Sequence, residues 1–245
     1  MEGTNCEDEA YRGFLAASML PEFVHVNELD RGTKRLEDYD SLFIPGGFSA
    51  GDYIRAGALF AARLERHRRS LEKFADEGKP IIGICNGFQV LTELGFLPGI
   101  NGNETREASL TLNLSSRFEC RDVFLKVERS ATGLLNQYTT DEVVLSTVAH
   151  SEGRLVFLNE DTAQDVVNKK MVILRYSDMT GGMAGYPWNP NGSYDNIAGI
   201  SNPSGNVIGM MPHPERKLFQ SSGPEGKHVL GKGFFDSIRT YLENV

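Results

Sequence analysis

Cysteine is scarce in this chain, three residues in 245 and an odd number. That count excludes a disulfide framework and points to a reducing, intracellular setting. Long apolar runs are missing too. No stretch approaches the roughly 18 residues a membrane-spanning helix needs, and the N-terminus has no secretory pattern, so the expectation is a soluble, cytoplasmic protein with no membrane partner. Positive charge is in deficit: the formal net charge is −8, and the one basic tract is "RLERHRR" at 63–69. This argues against a nucleic-acid partner. The phosphate-cradling pattern G-x-x-x-x-G-K-[ST] does not occur, since "GGMAG" lacks the lysine, which excludes that kind of nucleotide site. Repeats and linkers are absent as well, and residues 1–245 read as a single domain.

One further absence concerns the start of the chain. Doubly wound domains open on an apolar strand, yet "MEGTNCEDEA" begins at what looks like the loop after one. The expectation is a sheet whose first strand is missing before Met1, with upstream residues belonging to the natural protein. Unfilled, the slot would leave two strand edges without ladder partners.

What is present suits a globular core, with 40% apolar and 24% charged residues. Short apolar runs alternate with helical spacing, which predicts an α/β fold with a mostly parallel sheet covered by helices. "EFVHV" (22–26), "DSLFIPGG" (40–47) and "PIIGI" (80–84) read as strands. Phe60, Leu64, Leu71 and Phe74 mark one helix over 59–77, its arginines on a solvated face. "FECRDVFLKVE" and "EVVLSTVAH" alternate in an antiparallel manner, and "SNPSG" reads as a hairpin turn between "AGI" and "NVIGMM". The chain closes on a helix. The Gly/Pro/Asn-rich stretch 175–196 is longer than connections in compact domains usually are, a length that marks functional loops.

Chemistry concentrates at two junctions. In "PIIGICNGFQ" a buried strand runs straight into a helix through Gly83-Ile84-Cys85-Asn86-Gly87. A tight strand-to-helix turn projects its central side chain above the sheet edge, and the helix N-terminus favours a thiolate there. A buried structural cysteine is the commoner fate of the residue type, and the turn alone does not decide between the two. A nucleophilic cysteine needs a base that also serves as an acid. Of five histidines, His25 (mid-strand), His67 (on a helix) and His228 (before the last helix) sit where a satisfied or solvated imidazole is the default. His213, in "GMMPHPER", follows an apolar strand at the rim where α/β proteins place their sites. Pro212 and Pro214 predict an extended backbone, which sets Glu215 beside His213 as its orienting acid. The strand end Pro45-Gly46-Gly47 offers an unhindered N–H for an oxyanion, with the Asn86 N–H as a second donor.

Pro45-Gly46-Gly47, Gly83-Ile84-Cys85-Asn86-Gly87-Phe88-Gln89 and His213-Pro214-Glu215, in this order, resemble the signatures of class I glutamine amidotransferases. "GGFSAGDYIRAGA", "NPNGS" and "MMPHPER" resemble, within that class, glutaminase subunits of de novo purine synthesis. The resemblance covers essentially the whole chain. It implies a flavodoxin-like, doubly wound sheet with helices on both faces. It implies Cys85 as nucleophile, His213 as acid/base, Glu215 as orienter, and Gly47 and Asn86 as oxyanion donors. Gln89 would help hold the substrate glutamine, and Asn113 and Phe118 in "LNLSSRFECRDV" would line its pocket. His150 is implied near the site or a partner interface, outside the triad, and Cys6 and Cys120 are left as structural. No cofactor is implied on this chain. ATP and Mg²⁺ belong to a separate synthetase subunit, joined by a small bridging subunit. Ala50 and Ser151 depart from the family pattern, where an aromatic and a glycine are common. A different amidotransferase pathway, or a redox protein built on the same elbow without glutaminase activity, remain alternatives at this point.

Overall fold

The computed structural model describes residues 1–183 and 185–244. In chain order its elements are α1 (Glu7–Ala16), α2 (Val26–Asp30), β1 (Leu42–Ile44), α3 (Ala58–Leu64), α4 (Arg68–Asp76), β2 (Ile81–Ile84) and α5 (Asn86–Glu93). There follow β3 (Ala108–Thr111), β4 (Glu119–Val127), β5 (Val143–His150), β6 (Arg154–Phe157), α6 (Glu160–Asn168), β7 (Val172–Ser177), β8 (Ile197–Ser201), β9 (Val207–Met210) and α7 (Lys232–Leu242). Seven strands form one sheet in the order β1-β2-β9-β8-β7-β4-β5, while β3 and β6 pair as a separate ribbon. The pairings β1–β2 and β2–β9 are parallel; those from β9 out to β5 are antiparallel. The α/β class stands as expected, and antiparallel pairing extends further into the sheet than the alternating patterns alone suggested. The β8–β9 hairpin around "SNPSG" explains where the direction changes, because so short a connection admits only antiparallel neighbours.

β2 sits at the centre of the parallel part. Ile81, Ile82 and Ile84 are fully buried, as the unbroken apolar run required of a strand covered on both faces. β1 shows how the two faces are covered. The Phe43 side chain packs toward α1, where its ring and that of Phe14 meet nearly perpendicular at 5.5 Å. Its neighbour Ile44 points the other way, under Gly87 of α5. α7 joins α1 on the first face through Phe14 and Phe235, whose rings meet at 5.2 Å. Among the described residues no helix is long and apolar enough to cross a membrane.

Three expected elements come out differently. "EFVHV" forms no strand: a groove of about 930 Å³, lined by Phe14, Phe23, Val24, Leu42 and Phe43 among others, separates it from β1. A strand needs a partner about 4.8 Å away to satisfy its N–H and C=O groups, and this segment has none there. Its last residues open α2 instead. The His25 ring accepts from the Asn27 N–H (3.1 Å), and Glu28 accepts from the His25 N–H (2.8 Å), a capping box. The helix expected over 59–77 is two helices, parted by a tight turn at Glu65–His67. Arg68 sends its guanidinium to Leu94 O (2.7 Å) and Asn103 O (3.0 Å), tying the start of α4 to the end of α5. Arg63 likewise reaches Asp30 at 2.8 Å, so these two arginines tie elements together, while Arg66 and Arg69 are solvated as expected. Finally, residues 175–177 of the long loop belong to β7.

Candidate active site

The last ladder bond of β2 comes from Cys85, whose N–H donates to Met210 O of β9 at 2.8 Å; α5 begins at the next residue. The turn is sharp. Cys85 has φ 52° and ψ −104°, a conformation that costs an L-residue about 1–3 kcal/mol. Two glycines make room for it. A Cβ on Gly83 would stand 2.5 Å from Gly87 O, and one on Gly87 would collide with Ile44 O. The helix start therefore sits tight against β1 and β2. Cys85 is 5% exposed, and its Sγ donates to Ala149 O at the end of β5, 3.6 Å away.

His213 comes to the same place from the end of β9. Its N–H donates to Thr147 O (2.8 Å), which fixes the backbone against β5. The Nδ1–H donates to Glu215 Oε1 at 2.6 Å, with both side chains 1% exposed. The pairing is as expected but the local geometry is not. Pro214 starts a single tight turn, Pro214–Lys217, and Glu215 reaches back to the ring from within it. Proline's fixed φ suits the first position of such a turn better than an extended run. The ring lies over Gly46: a Cβ there would stand 2.7 Å from His213 Cε1 and 3.4 Å from Cys85 Cβ. Glycine at 46 thus lets strand end, imidazole and thiol meet. Burial disfavours the charged ring, but the Glu215 carboxylate and then Cys85 reverse it, and the pKa of His213 is held well above its usual value. The Nε2 atom is buried with no hydrogen-bond partner, open to a reacting group.

Gly47 follows with φ 130°, a conformation reserved for glycine, and is bridged to Thr4 by bonds from Asn5 N–H to Gly46 O (2.7 Å) and Phe48 N–H to Gly3 O (2.8 Å). Those bonds leave the Gly47 N–H itself unused. Asn86 lies in the first turn of α5, ahead of the first intrahelical bond from Gln89 N–H to Cys85 O (3.1 Å), so its N–H is among the helix's free donors.

Below the turn lies a polar network, buried at Asn86 and Gln89 and half-buried at Asp52 and Glu152. Asn86 Nδ2 donates to Gln89 Oε1 (2.8 Å) and Asp52 Oδ1 (3.4 Å), and Gln89 Nε2 donates to Glu152 O (2.6 Å). Burial, then the Glu152 charge, pushes the Asp52 pKa up to about 6. Asn113 is equally committed: Oδ1 accepts from Gly153 N–H and the His150 ring (both 3.1 Å), while Nδ2 donates to Arg117 O (2.8 Å) and His150 O (2.9 Å). That arrangement puts the proton of His150 on Nδ1 and leaves Nε2 a buried, unpartnered acceptor. Burial, then His213, pushes the His150 pKa down to about 3. Phe118 is half-exposed at the rim, its ring 6.2 Å from Phe48. The "NPNGS" stretch is buried as well: Asn191 Nδ2 donates to Gly153 O (2.7 Å), and Ser193 Oγ accepts from Leu155 N–H (3.0 Å). It braces the 150–153 turn that Asn113 holds from the other side.

Sequence reasoning missed Asp52, Glu152 and Arg216. A carboxylate in a Gly-rich loop carries no sign of burial, although the run of positive φ at Ala50, Gly51, Asp52, Ile54 and Gly57 does mark the loop as constrained. It also left Cys6 as merely structural. Among the described residues, one group could come together on a metal: atoms of Cys6, His213 and Glu215 lie within 4.8 Å of one another. Arg216 already places a guanidinium on the Cys6 sulfur, with Nε and a terminal nitrogen at 3.4 and 3.1 Å. The positive charge a metal would bring is thus present in protein form.

A strained cysteine at a helix start, an imidazole with a buried carboxylate behind it and two backbone N–H donors thus meet at one rim of the sheet. A family model described as the CobB/CobQ-like glutamine amidotransferase domain matches residues 1–241. The chain belongs to the glutamine amidotransferase family. Among curated amidotransferase relatives, it is 51% identical over 237 residues to phosphoribosylformylglycinamidine synthase subunit PurQ of Picrophilus torridus, covering 95% of this chain and 92% of that one. It is 45% identical to the protein of the same name from Archaeoglobus fulgidus, over 100% of this chain and 96% of the relative. Among solved structures, a chain of PurLQS from Thermotoga maritima superposes with TM-score 0.74 at 35% identity, over 98% of this chain and 94% of that chain. The glutaminase domain of Trypanosoma brucei CTPS, at TM-score 0.57 and 16% identity over 98% and 90%, shares the amidotransferase fold.

Proposed function

We propose that this chain is the glutaminase subunit of phosphoribosylformylglycinamidine synthase, which hydrolyses glutamine and hands ammonia to a synthetase subunit that makes formylglycinamidine ribonucleotide from formylglycinamide ribonucleotide. The observation that carries the chemistry is the 2.6 Å bond from His213 Nδ1 to Glu215, with the ring and Cys85 both packed on Gly46. Identity of 45% and 51% over almost the whole length of two curated relatives supports the pathway.

Catalysis begins with Cys85 as thiolate beside the His213 imidazolium. The sulfur adds to the side-chain carboxamide carbon of glutamine, and the carbonyl oxygen becomes an oxyanion facing the N–H groups of Gly47 and Asn86. Each such donor contributes about 3 kcal/mol where one has been removed in other enzymes. His213 gives its proton to the departing nitrogen, the C–N bond breaks, and a γ-glutamyl thioester and ammonia remain. The neutral ring then takes a proton from water as the water adds to the thioester, and collapse releases glutamate and restores the ion pair. Glu215 keeps the ring in its Nδ1–H form and stabilises the imidazolium throughout. Gln89, Asn113 and Phe118 shape the glutamine pocket, Asn113 by holding the 150–153 turn.

ATP and Mg²⁺ are used on the synthetase subunit, and a small bridging subunit completes the complex in the cytoplasm. Ammonia is lost as ammonium in neutral water, so a shielded path between the subunits is required. The loop from 178, ending in the buried "NPNGS" brace, is the coupling element on this side. Covalent labelling with a diazoketone analogue of glutamine, mapped by mass spectrometry in the presence of the synthetase, tests the reading. Modification at Cys85 that excess glutamine suppresses is the expected result. No labelling there would refute it.

A further inference from the structure

Cys6 occupies the N-cap of α1, a position that Ser, Thr, Asp or Asn serves best, yet its side chain makes no capping bond. It also holds φ 66°, which a non-glycine residue adopts only at a cost. A buried thiol kept in a strained, unsuited position is there for its sulfur. That sulfur accepts two guanidinium N–H groups from Arg216, 210 positions away in the chain. Arg216 directly follows Glu215, whose Oε1 is bonded to His213 and whose Oε2 is buried with no partner. An arginine beside an unsatisfied buried carboxylate oxygen ordinarily forms a two-pronged ion pair with it. Here the fork is on the sulfur instead, and no ion pair joins Arg216 to Glu215 among the described residues.

We propose that Cys6 is a positioning residue for the glutaminase reaction: its sulfur holds the Arg216 guanidinium off Glu215, so that the carboxylate serves His213 alone. A weak acceptor suits the task. It takes up two guanidinium N–H groups of the partly exposed Arg216 without adding a second strong base next to the ring. The N-terminal segment that carries it is anchored at the reaction centre, because Asn5 N–H bonds Gly46 O at 2.7 Å and Cys6 N–H bonds Asn5 Oδ1 at 2.8 Å. Without the sulfur, the guanidinium turns to Glu215 Oε2, neutralises the carboxylate and weakens its support of the imidazolium. The titratable and charged groups around His213 are Glu215, Cys85, Cys6, His150 and, beyond the sulfur, Arg216.

This inference rests on the glutaminase reading, and its test is done on the complex with the synthetase. Glutamate release and ammonia-dependent synthesis are measured against pH for the wild type, Cys85→Ala, Cys6→Ala, Cys6→Ser and the double variant Cys6→Ala with Arg216→Met. Cys6→Ala lowers kcat for glutamine roughly 10- to 100-fold, the scale of a small misplacement of a catalytic group, with KM nearly unchanged. Its alkaline limb moves to lower pH as His213 loses basicity. Cys6→Ser restores most of the rate, and so does the double variant, because no guanidinium remains to capture Glu215. Ammonia-dependent synthesis stays at the wild-type level in all of them. A wild-type rate and pH profile in Cys6→Ala overturns the inference, as does a double variant no better than the single one. If Cys6→Ala does not fold, Arg216→Met alone decides: a small loss supports the inference, and a loss as deep as that of Cys85→Ala overturns it. A wild-type complex that used ammonium but not glutamine, with Cys85→Ala no different, would bring down the glutaminase reading and this inference with it. A Cys85-dependent enzyme indifferent to Cys6 overturns the inference alone.

Discussion

At His150 the folded chain refuses a proton that the unfolded chain accepts. Burial, then the neighbouring His213, takes its pKa from the ordinary 6.5 to about 3. The unfolded state therefore binds more protons between these values, and stability is lost as pH falls through that window, by about 1.4 kcal/mol per pH unit. His150→Gln removes this dependence. Urea midpoints taken between pH 6 and 4 should fall less steeply for the variant than for the wild type. Equal slopes would mean that His150 titrates normally in the fold. The sequence marked His150 as close to the centre but could not show its charge state, which depends on burial and on His213 63 positions away, nor its tautomer, which Asn113 sets from 37 positions away. His213 and Glu215 were legible because the whole device lies in four consecutive residues. Even there the reach of Glu215 comes from a turn, which a pattern of prolines does not distinguish from an extended run.

The junction of β2 and α5 is the element on which the site depends, and it too is local enough to read in the sequence. Its tolerance is not. Alanine at Gly83 would press a methyl group against Gly87 O at 2.5 Å and Leu91 Cδ1 at 2.7 Å. Backbone cannot yield as a side-chain tip does, so α5 must move outward. Gly83→Ala should cost about 1–3 kcal/mol in a thermal or urea melt. It should also lower glutaminase kcat by more than tenfold, because the Asn86 N–H moves with the helix. A melt and a kcat both like the wild type's would show that the contact is looser than it stands here. Elements whose identity depends on distant partners were the ones misread. "EFVHV" has the composition of a strand, but β propensity expresses packing on neighbours, and across the groove from β1 it has none. The break between α3 and α4 depends on Arg68 finding Leu94 O and Asn103 O, contacts absent from any local window.

Over the whole molecule, the order β1-β2-β9-β8 brings Gly47, Cys85 and His213 together from three strand ends that are far apart in the chain. The class of fold was legible from alternation, and the position of the direction change from one hairpin. What the sequence does not display is the surface beside the site. Tyr53 and Ile54 are 76% and 82% exposed, and Ile54 holds φ 76°, a genuine outlier for a β-branched residue. Such a tip, exposed, apolar and strained, shortly after the β1 strand end at Gly47, suits contact with the synthetase subunit. Glutamate release by the isolated chain should be low and should rise at least roughly tenfold on addition of the synthetase, a difference of about 1.4 kcal/mol in barrier. Replacing Tyr53 and Ile54 by serine should raise the synthetase concentration needed for half of that stimulation. Equal glutamate release with and without the synthetase would count against the arrangement.

On the proposed mechanism, the backbone at position 85 sets this protein's stability against its activity. A glycine there relaxes the conformation at φ 52°, ψ −104° and gives up only a small side chain. Cys85→Gly should therefore melt higher than the wild type, by an amount on the order of 1 kcal/mol, while hydrolysing no glutamine. A selection for thermostability that ignored turnover would drift toward that dead variant. Only a screen that demands ammonia from glutamine keeps the cysteine in place.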